Sequence, residues 1–209
     1  WHGDMDSPLG KSLVKCDPNG PLAFVITKVV VDERAGEICA GRLFSGTMKK
    51  GLNVYLNQAK IEPRTQQVYI YNGAKREVVD NVPAGNIIGV AGLENGNAGE
   101  TVSLEPITPF EQIKHLFEPV VTKAIEATKP SDLPRLIEIL RRVGKEDPSI
   151  KINIDEETGE HLMSGMGELH LEIIENRIKT EKGLEVNTSP PIVVYRESIS
   201  KKSREFMGK

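Results

Sequence analysis

The feature that most constrains the fold is a series of short apolar runs, each ending at residues that turn the chain. The runs are rich in Val, Ile and Phe and lack helical spacing; they are residues 22–31, 37–44, 52–56, 66–71, 77–79, 87–91 and 101–104. Between two of them, Asn72 and Gly73 supply the positive φ angles that a tight hairpin requires. Short strands at this regular spacing are typical of a closed barrel. The sequence therefore predicts an all-β barrel over residues 11–105, with residues 1–10 leading into it.

Two prolines, Pro106 and Pro109, mark the end of this pattern. Proline fixes φ and has no N–H to donate, so two prolines three residues apart suit a linker better than a strand or a helix. We predict a linker over residues 106–114. From this change in composition we expect the flanking domains to reorient about the linker.

The residues after the linker mix helical and strand spacing. Asp132 can cap a helix that carries Pro134 in its first turn. The apolar side of this helix comprises Leu133, Leu136, Ile137, Leu140 and Val143. A second helix is predicted to begin after Gly167. Its apolar side comprises Leu171, Ile174 and Ile178, widened by Leu169 and Ile173.

Strands are predicted on both sides of each helix. They are residues 119–127, 150–155, 161–164 and either 184–187 or 192–195. The resulting order, β-α-β-β-α-β, is that of a ferredoxin-like sandwich in which two helices cover a four-stranded sheet. We therefore predict an α+β ferredoxin-like domain over residues 115–199 and a C-terminal tail over residues 200–209.

The charge of the chain limits how it could bind nucleic acid. Its 27 basic and 30 acidic side chains give a net charge of −3. A chain so close to neutral is not expected to hold free nucleic acid by bulk electrostatics, but a local basic patch could still dock on a folded RNA.

Cysteine usage and hydropathy indicate a cytoplasmic protein. Cys16 and Cys39 form no CxxC pair and are too few for a disulfide framework, so we expect buried or inert thiols. No apolar run is long enough to span a membrane, and no signal segment is recognisable. Because the sequence starts at Trp1 rather than at Met, we expect either a piece of a longer protein or a processed N-terminus.

Two glycine-containing motifs could bind nucleotides, but both depart from their consensus. The run Gly10-Lys11-Ser12 resembles the end of a P-loop, yet Met5 replaces the earlier glycine, so an ordinary loop is the better interpretation. The run Gly165-Met166-Gly167 resembles a dinucleotide fingerprint, yet Glu168 places a carboxylate where a phosphate would bind. A tight turn that lets another surface approach is the better interpretation of this second motif.

Metal binding and catalysis have equally weak support. His161, Glu168, His170 and Glu172 are close in sequence but lack the spacing of a metal site. No GxSxG motif singles out a nucleophilic serine. We therefore predict no catalytic, metal-binding or cofactor-binding residue in this chain.

Basic residues in the barrel are the candidates for phosphate contacts: Arg42, Lys49, Lys50, Lys75 and Arg76. Isolated surface Lys and Arg side chains are usually only solvated, so this spacing alone does not establish RNA binding. A free-standing RNA-binding module and a small-molecule-sensing regulator built on the ferredoxin-like half both stay open. An RNA recognition motif shares the predicted topology, but it stacks bases on sheet aromatics that residues 150–155 lack.

Several motifs carry a resemblance to a known family. Residues 36–46 read GEICAGRLFSG and, with the KKG of residues 49–51, resemble the barrel signature of translational GTPases. Residues 164–172 read SGMGELHLE and are similar to the third domain of elongation factors G and 2. The SDLP of residues 131–134 and the ETGEH of residues 157–161 extend this similarity.

Two further motifs place the resemblance within that family. The DPNGP of residues 17–21 and the PPIVVYRE of residues 190–197 favour its archaeal and eukaryotic branch, with archaeal features. The resemblance covers residues 6–200. It implies that this chain is a fragment made of the second and third domains of such a factor.

The resemblance also implies an activity for the parent protein, which would couple GTP hydrolysis to the movement of tRNA and mRNA on the ribosome. Neither a complete P-loop nor an Asn-Lys-x-Asp motif occurs in this sequence. GTP and magnesium are therefore expected in a domain that this chain lacks, and the chain alone is expected to be inactive.

The family finally implies roles for the two halves. Its barrel contacts small-subunit ribosomal RNA and packs on the GTPase domain, which favours Arg42, Lys49 and Lys50 as contacts. Its third domain relays movement between the GTPase domain and the C-terminal domains. The turn predicted to face the GTPase domain comprises Ser164, Gly165, Met166, Gly167 and Glu168. The implied partners are the ribosome and those other domains, with no membrane and no DNA.

Overall fold

The computed structural model describes residues 1–32, 35–73, 75–112, 119–154 and 160–193. Its internal contacts divide the chain into two units, which are described separately. The first comprises Trp1–Leu116 with Leu140–Pro148, and the second comprises Phe117–Ile139 with Ser149–Lys209. The predictions made for linker residues 113 and 114, strand residues 155, 194 and 195 and the tail lie outside the described residues.

The described part of the first unit contains nine strands. They are β1 (Ala23–Asp32), β2 (Gly36–Ser45), β3 (Thr47–Lys49), β4 (Tyr55–Leu56), β5 (Gln67–Asn72), β6 (Lys75–Val79), β7 (Asn81–Pro83), β8 (Ile87–Ala91) and β9 (Thr101–Ser103). Seven form one antiparallel sheet in the order β4-β9-β1-β2-β8-β5-β6, and β3 pairs with β7 in a second ladder. Each predicted run contains a strand. Strands β3 and β7 are additional, because three residues are too few to show alternation and Pro83 argues against a strand.

One hydrophobic core joins both ladders. Phe24, Leu43 and Val90 from the large sheet and Met48 and Val82 from the two-stranded ladder all belong to it, and each is at most 3% exposed. Burying a large apolar side chain stabilises the fold by about 1.5–3 kcal/mol relative to leaving it in water. The predicted all-β barrel is confirmed.

A helix, α1 (Pro8–Lys15), lies where a loop was predicted. Its N-cap is Ser7, whose Oγ accepts the N–H of Gly10 at 3.0 Å, and Pro8 occupies the first helical position. The helix ends at Cys16, which adopts the left-handed conformation with φ of 54°. Serine followed by proline is a recognised helix start, so the sequence did contain the signal.

The described part of the predicted linker, residues 106–112, is hydrogen-bonded to other parts of the first unit. The N–H of Ile107 donates to Asn57 Oδ1 at 2.8 Å, and the N–H of Phe110 donates to Thr101 Oγ1 at 3.0 Å. These bonds resist rotation of residues 106–112 relative to strand β9. Reorientation of the two domains about this segment stays a prediction.

The α+β part follows the predicted order of elements. It contains β10 (Val121–Ala127), a short 3-10 turn (Pro130–Asp132), α2 (Leu133–Glu146), β11 (Lys151–Ile154), β12 (His161–Gly165), α3 (Glu168–Glu181), β13 (Val186–Thr188) and β14 (Ile192–Val193). The sheet order is β11-β12-β10-β13, and every ladder is antiparallel. Both predicted locations for the last strand form strands that pair with β10. The ferredoxin-like fold is confirmed.

Most of the predicted helix faces are buried, with exceptions near helix and sheet ends. Leu136, Leu140 and Val143 of α2 and Leu171, Ile174 and Ile178 of α3 are all buried. Leu133, in the first turn of α2, is 39% exposed, and Ile154 at the end of β11 is 58% exposed. The prediction that Leu133 belongs to the buried side of α2 was therefore wrong.

Candidate functional site

Arg42 lies on strand β2 and is exposed. Its guanidinium carbon lies 5.5 Å from the centre of the Phe44 ring, and Phe44 stacks on Phe110 with ring centres 5.1 Å apart. A guanidinium that rests on an aromatic face keeps its N–H edges available for a phosphate or carboxylate. Arg42 is thus held in place without losing its capacity to bind an anion.

Lys49 and Lys50 are exposed at the end of strand β3. Their backbone is fixed: Lys49 O accepts the hydroxyl of Thr65 at 2.9 Å, and Lys50 N–H donates to Asp80 O at 3.0 Å. Neither ammonium forms a salt bridge to a carboxylate among the residues that the structure describes. Both charges can therefore attract an external anion.

Lys75 and Arg76 lie on strand β6, three strands from Arg42 in the sheet order, and so belong to a different part of the surface. Arg76 is already engaged, because its Nη2 lies 2.8 Å from Asp32 Oδ2 and its guanidinium carbon lies 5.3 Å from the centre of the Tyr69 ring. This ion pair makes Arg76 a weaker candidate for an external contact than Lys75.

The turn at residues 164–168 joins strand β12 to helix α3. Ser164 Oγ lies 2.8 Å from Thr122 Oγ1, which ties the turn to strand β10. Gly165 is buried, and a Cβ there would lie 2.8 Å from Leu171 Cδ2, so a larger residue would force the Leu171 side chain to move. Gly167 is different: its φ of 179° is extended, and a Cβ would meet nothing within 4 Å. The fold does not require glycine at position 167.

Large apolar side chains are exposed beside this turn. Val120 is 52% exposed, Met166 45%, Leu169 70% and Ile173 50%, and we call these four residues the apolar patch. The N–H of Val120 donates to Gly165 O at 3.0 Å, which places that residue next to the turn. Clusters of exposed apolar residues on a small domain mark interaction surfaces.

The prediction that Leu169 and Ile173 widen the buried side of α3 was wrong. At about 100° per residue, both positions fall on the side of the helix opposite Leu171, Ile174 and Ile178. The helix therefore has two apolar faces. The first packs on the sheet, and the second is exposed to solvent in this chain.

The Gly10-Lys11-Ser12 run does not have the geometry of a phosphate-binding loop. The run Gly10-Lys11-Ser12 lies inside helix α1, and Ser12 Oγ is buried 2.6 Å from Ser45 Oγ. A phosphate needs backbone N–H groups that converge on it, and in a helix interior those groups are used within the helix. Among the described residues, no group of three or more His, Cys, Asp or Glu side chains could hold a metal ion.

The two thiols have different surroundings. Cys39 is buried on strand β2, and burial together with the Glu37 carboxylate raises the pKa of its thiol to about 12. The expectation of an inert buried thiol is therefore confirmed for Cys39. Cys16 is half-buried at the end of helix α1. Its Sγ lies next to Gly85, 3.6 Å from the position that a Cβ on that glycine would occupy.

One charged network lies under helix α3. Burial alone would raise the pKa of Glu175, but hydrogen bonds from Lys179 Nζ at 2.7 Å and Thr188 Oγ1 at 3.0 Å lower it below its usual range. The charge of Lys123 on strand β10 acts in the same direction. This network joins α3 to the sheet and contains no group placed for catalysis.

Nothing in the described helices is both long enough and apolar enough to cross a lipid bilayer.

Comparison with known proteins gives matches for both parts of the chain. The family model for Elongation factor G domain 2 matches residues 21–105, and that for Elongation Factor G, domain III, matches residues 116–190. Elongation factor 2 of Thermococcus gammatolerans is 55% identical over 209 residues, and that of Thermococcus kodakarensis is 54% identical over the same length. Elongation factor 2 of Archaeoglobus fulgidus is 53% identical over 210 residues. The matches cover 100% of this chain but only 29% of each of these relatives.

Proposed function

Because this chain belongs to the family of elongation factors G and 2, we propose that it supplies the second and third domains of a ribosomal translocase. The longer protein would couple GTP hydrolysis to the movement of tRNA and mRNA during elongation in the cytoplasm. Within it, this chain contributes contact with the ribosome and a relay between domains, and it contributes no nucleotide chemistry.

The apolar patch is the observation that carries the relay. Four large side chains that are 45–70% exposed are unfavourable on a free surface, so a neighbouring domain is expected to cover them. Gly167 lies in the adjacent turn, where the open space beside its Cα lets another surface come close to the backbone. We propose that the turn at residues 164–168 and the patch face the GTPase domain of the longer protein.

The rigid attachment of the turn supports the proposed relay. The Ser164–Thr122 hydrogen bond joins the turn to the central strand β10, and helix α3 begins directly after it at Glu168. A displacement of the turn by a neighbouring domain would therefore move the sheet and the helix together as one rigid body.

The barrel supplies the contact with small-subunit ribosomal RNA in this proposal. Arg42, Lys49 and Lys50 are its strongest contacts, because their charges are exposed and lack a described acidic partner. Lys75 is a further contact, and Arg76 contributes least because Asp32 already pairs with it.

Pelleting with archaeal small ribosomal subunits tests the ribosome contact. The chain is expected to pellet with the subunits, and Lys50→Gln is expected to weaken the binding more than Lys28→Gln, which removes an exposed charge that is not among the proposed contacts. Equal binding by both variants would contradict the assignment. If the chain alone bound as tightly as the longer protein, a free-standing RNA-binding module would be the better description.

Calorimetry with GTP tests the absence of nucleotide chemistry. We expect no heat of binding and no phosphate release from the chain alone. Micromolar binding would contradict this part of the proposal. It would also contradict the conclusion that the Gly10-Lys11-Ser12 run is not a phosphate-binding loop.

A further inference from the structure

A hollow of about 500 Å³ lies on the barrel surface next to Lys50. Its walls come from three separate loops: Lys50 with Gly51, residues 63–66, and Gly92 with Glu94. Apart from Lys50, none of these residues is among the predicted contacts. The hollow brings a second cation, Arg64, to the same place.

The walls of the hollow are rigid. Thr65 is 1% exposed, its hydroxyl accepts the N–H of Leu52 at 2.8 Å, and its carbonyl accepts the N–H of Gly51 at 2.9 Å. Gly92 packs against the same segment: its φ is 93°, and a Cβ there would lie 2.6 Å from Arg64 O. The loops are therefore closely packed before any ligand arrives, and binding would cost little ordering entropy.

Arg64 is held in a position suited to an anion. Its Nε donates to Gly51 O at 3.0 Å, which fixes the plane of the guanidinium. Among the residues that the structure describes, no carboxylate forms a salt bridge with Arg64 or with Lys50. The Nη groups of Arg64 and the ammonium of Lys50 thus stay available beside one hollow, with Glu94 as the acidic residue in its lining.

We propose that this hollow binds a phosphodiester group of a folded RNA, with Arg64 contacting two phosphate oxygens and Lys50 supplying the second charge. The inference rests on the proposed ribosome contact and deepens it by naming the chemical group that is bound. A planar guanidinium fixed at Nε can donate two parallel hydrogen bonds, which suits phosphate better than the single point charge of a lysine. Glu94 in the lining opposes anion binding, and the charges of Arg64 and Lys50 outweigh it.

Nuclear magnetic resonance of the ¹⁵N-labelled chain, titrated with a short oligouridylate, tests the hollow directly. We expect shifts of the Gly51 and Gly92 amides and of the Arg64 Nε–H, and we expect Arg64→Gln and Lys50→Gln each to abolish them. Lys28→Gln is the matched control and should leave them unchanged. A poly-glutamate peptide is the second probe. Shifts that map elsewhere, or equal shifts with poly-glutamate, would overturn the assignment to RNA phosphate.

Subunit pelleting at several salt concentrations separates this inference from the proposed function. Arg64→Gln should weaken binding to small ribosomal subunits roughly tenfold and reduce the slope of log K against log salt by about one. Arg64→Lys keeps the charge but should recover only part of the affinity. If the slope of log K against log salt were the same for Arg64→Gln as for the unmodified chain, the phosphate site in the hollow would be contradicted. The proposed ribosome contact would not be affected by that result. If the unmodified chain failed to pellet with the subunits but the oligouridylate still shifted the amides, the ribosome contact would be contradicted. Phosphate binding in the hollow would then be supported.

Discussion

The indole nitrogen of Trp1 donates a hydrogen bond to the carbonyl oxygen of Thr108 at 2.6 Å, joining residues that lie 107 positions apart. The neighbouring residue His2 makes a similar link, with its Nε2 2.9 Å from Glu111 Oε2. The Trp1 ring also lies 6.4 Å from the ring of Phe110. Together these contacts fix the first residues of the chain against the segment that leaves strand β9.

Replacing Trp1 tests how much this link stabilises the first unit. Trp1→Ala removes a half-buried ring and a hydrogen bond, so the free energy of unfolding should fall by about 1–2 kcal/mol. Trp1→Phe keeps a ring but not the donor and should recover part of that loss. Urea denaturation followed by circular dichroism gives both values. No change in Trp1→Ala would mean that the link is incidental.

Glu100 is a buried carboxylate that should be intolerant of change. It is 3% exposed and accepts the backbone N–H groups of Gln58 at 2.8 Å, Ala59 at 3.1 Å and Thr101 at 3.1 Å. Glu100→Gln replaces one acceptor oxygen by a donor that faces an N–H, so we expect a loss of about 2–3 kcal/mol in unfolding free energy. The exposed Glu94→Gln should change it by less than about 0.5 kcal/mol in the same chemical denaturation experiment.

A substitution in the apolar patch should change the function of the longer protein without changing the stability of this chain. Leu169 is 70% exposed, so Leu169→Ser is expected to leave the unfolding free energy within about 0.5 kcal/mol of the unmodified chain. If the proposed relay holds, the same change should slow ribosomal translocation by the longer protein severalfold, because the apolar patch loses its most exposed side chain. Leu171→Ser on the buried face of α3 is the opposite control, with a large loss of stability. Unchanged translocation in Leu169→Ser would remove this residue from the relay.

The Glu175 network predicts a pH dependence of stability. Its hydrogen bonds from Lys179 and Thr188 favour the ionised carboxylate, so the pKa in the folded chain lies below that in the unfolded chain. The stabilisation is therefore complete above the ordinary glutamate pKa and is lost as the pH falls through the lowered folded value. Urea titrations should show a lower free energy of unfolding at about pH 3.5 than at pH 7. Glu175→Gln should reduce this difference. The exposed Glu172→Gln should retain the full loss.

Strand prediction worked wherever alternation was long enough to read. The run predicted at residues 87–91 coincides with β8, Ile87–Ala91, because a turn at residues 84–86 precedes it and Gly92, with a φ of 93°, follows it. Strands β3 and β7 contain three residues each, and their pairing depends on contacts that no local pattern encodes. Helix α1 is different, because its start signal, Ser7 followed by Pro8, is present in the sequence.

The candidate site was less predictable than the fold. Helical geometry of about 100° per residue would have placed Leu169 and Ile173 outside the core from the sequence alone. The hollow could not be found in this way, since Lys50, Arg64 and Gly92 are distant in sequence and meet only because of how the barrel closes its loops. Likewise, the pairing of Arg76 with Asp32 depends on the two strands β1 and β6 rather than on any local motif.

The contrast between Cys39 and Cys16 has a practical use. With a thiol pKa of about 12, Cys39 carries almost no thiolate at neutral pH and is shielded from reagents by its burial. Cys16 is the one other cysteine in the sequence and is partly accessible. A maleimide dye should therefore attach to the unmodified chain at one place, at the end of helix α1. Fluorescence of the attached dye could then test the proposed contact of the barrel with the ribosome without introducing a cysteine or removing one.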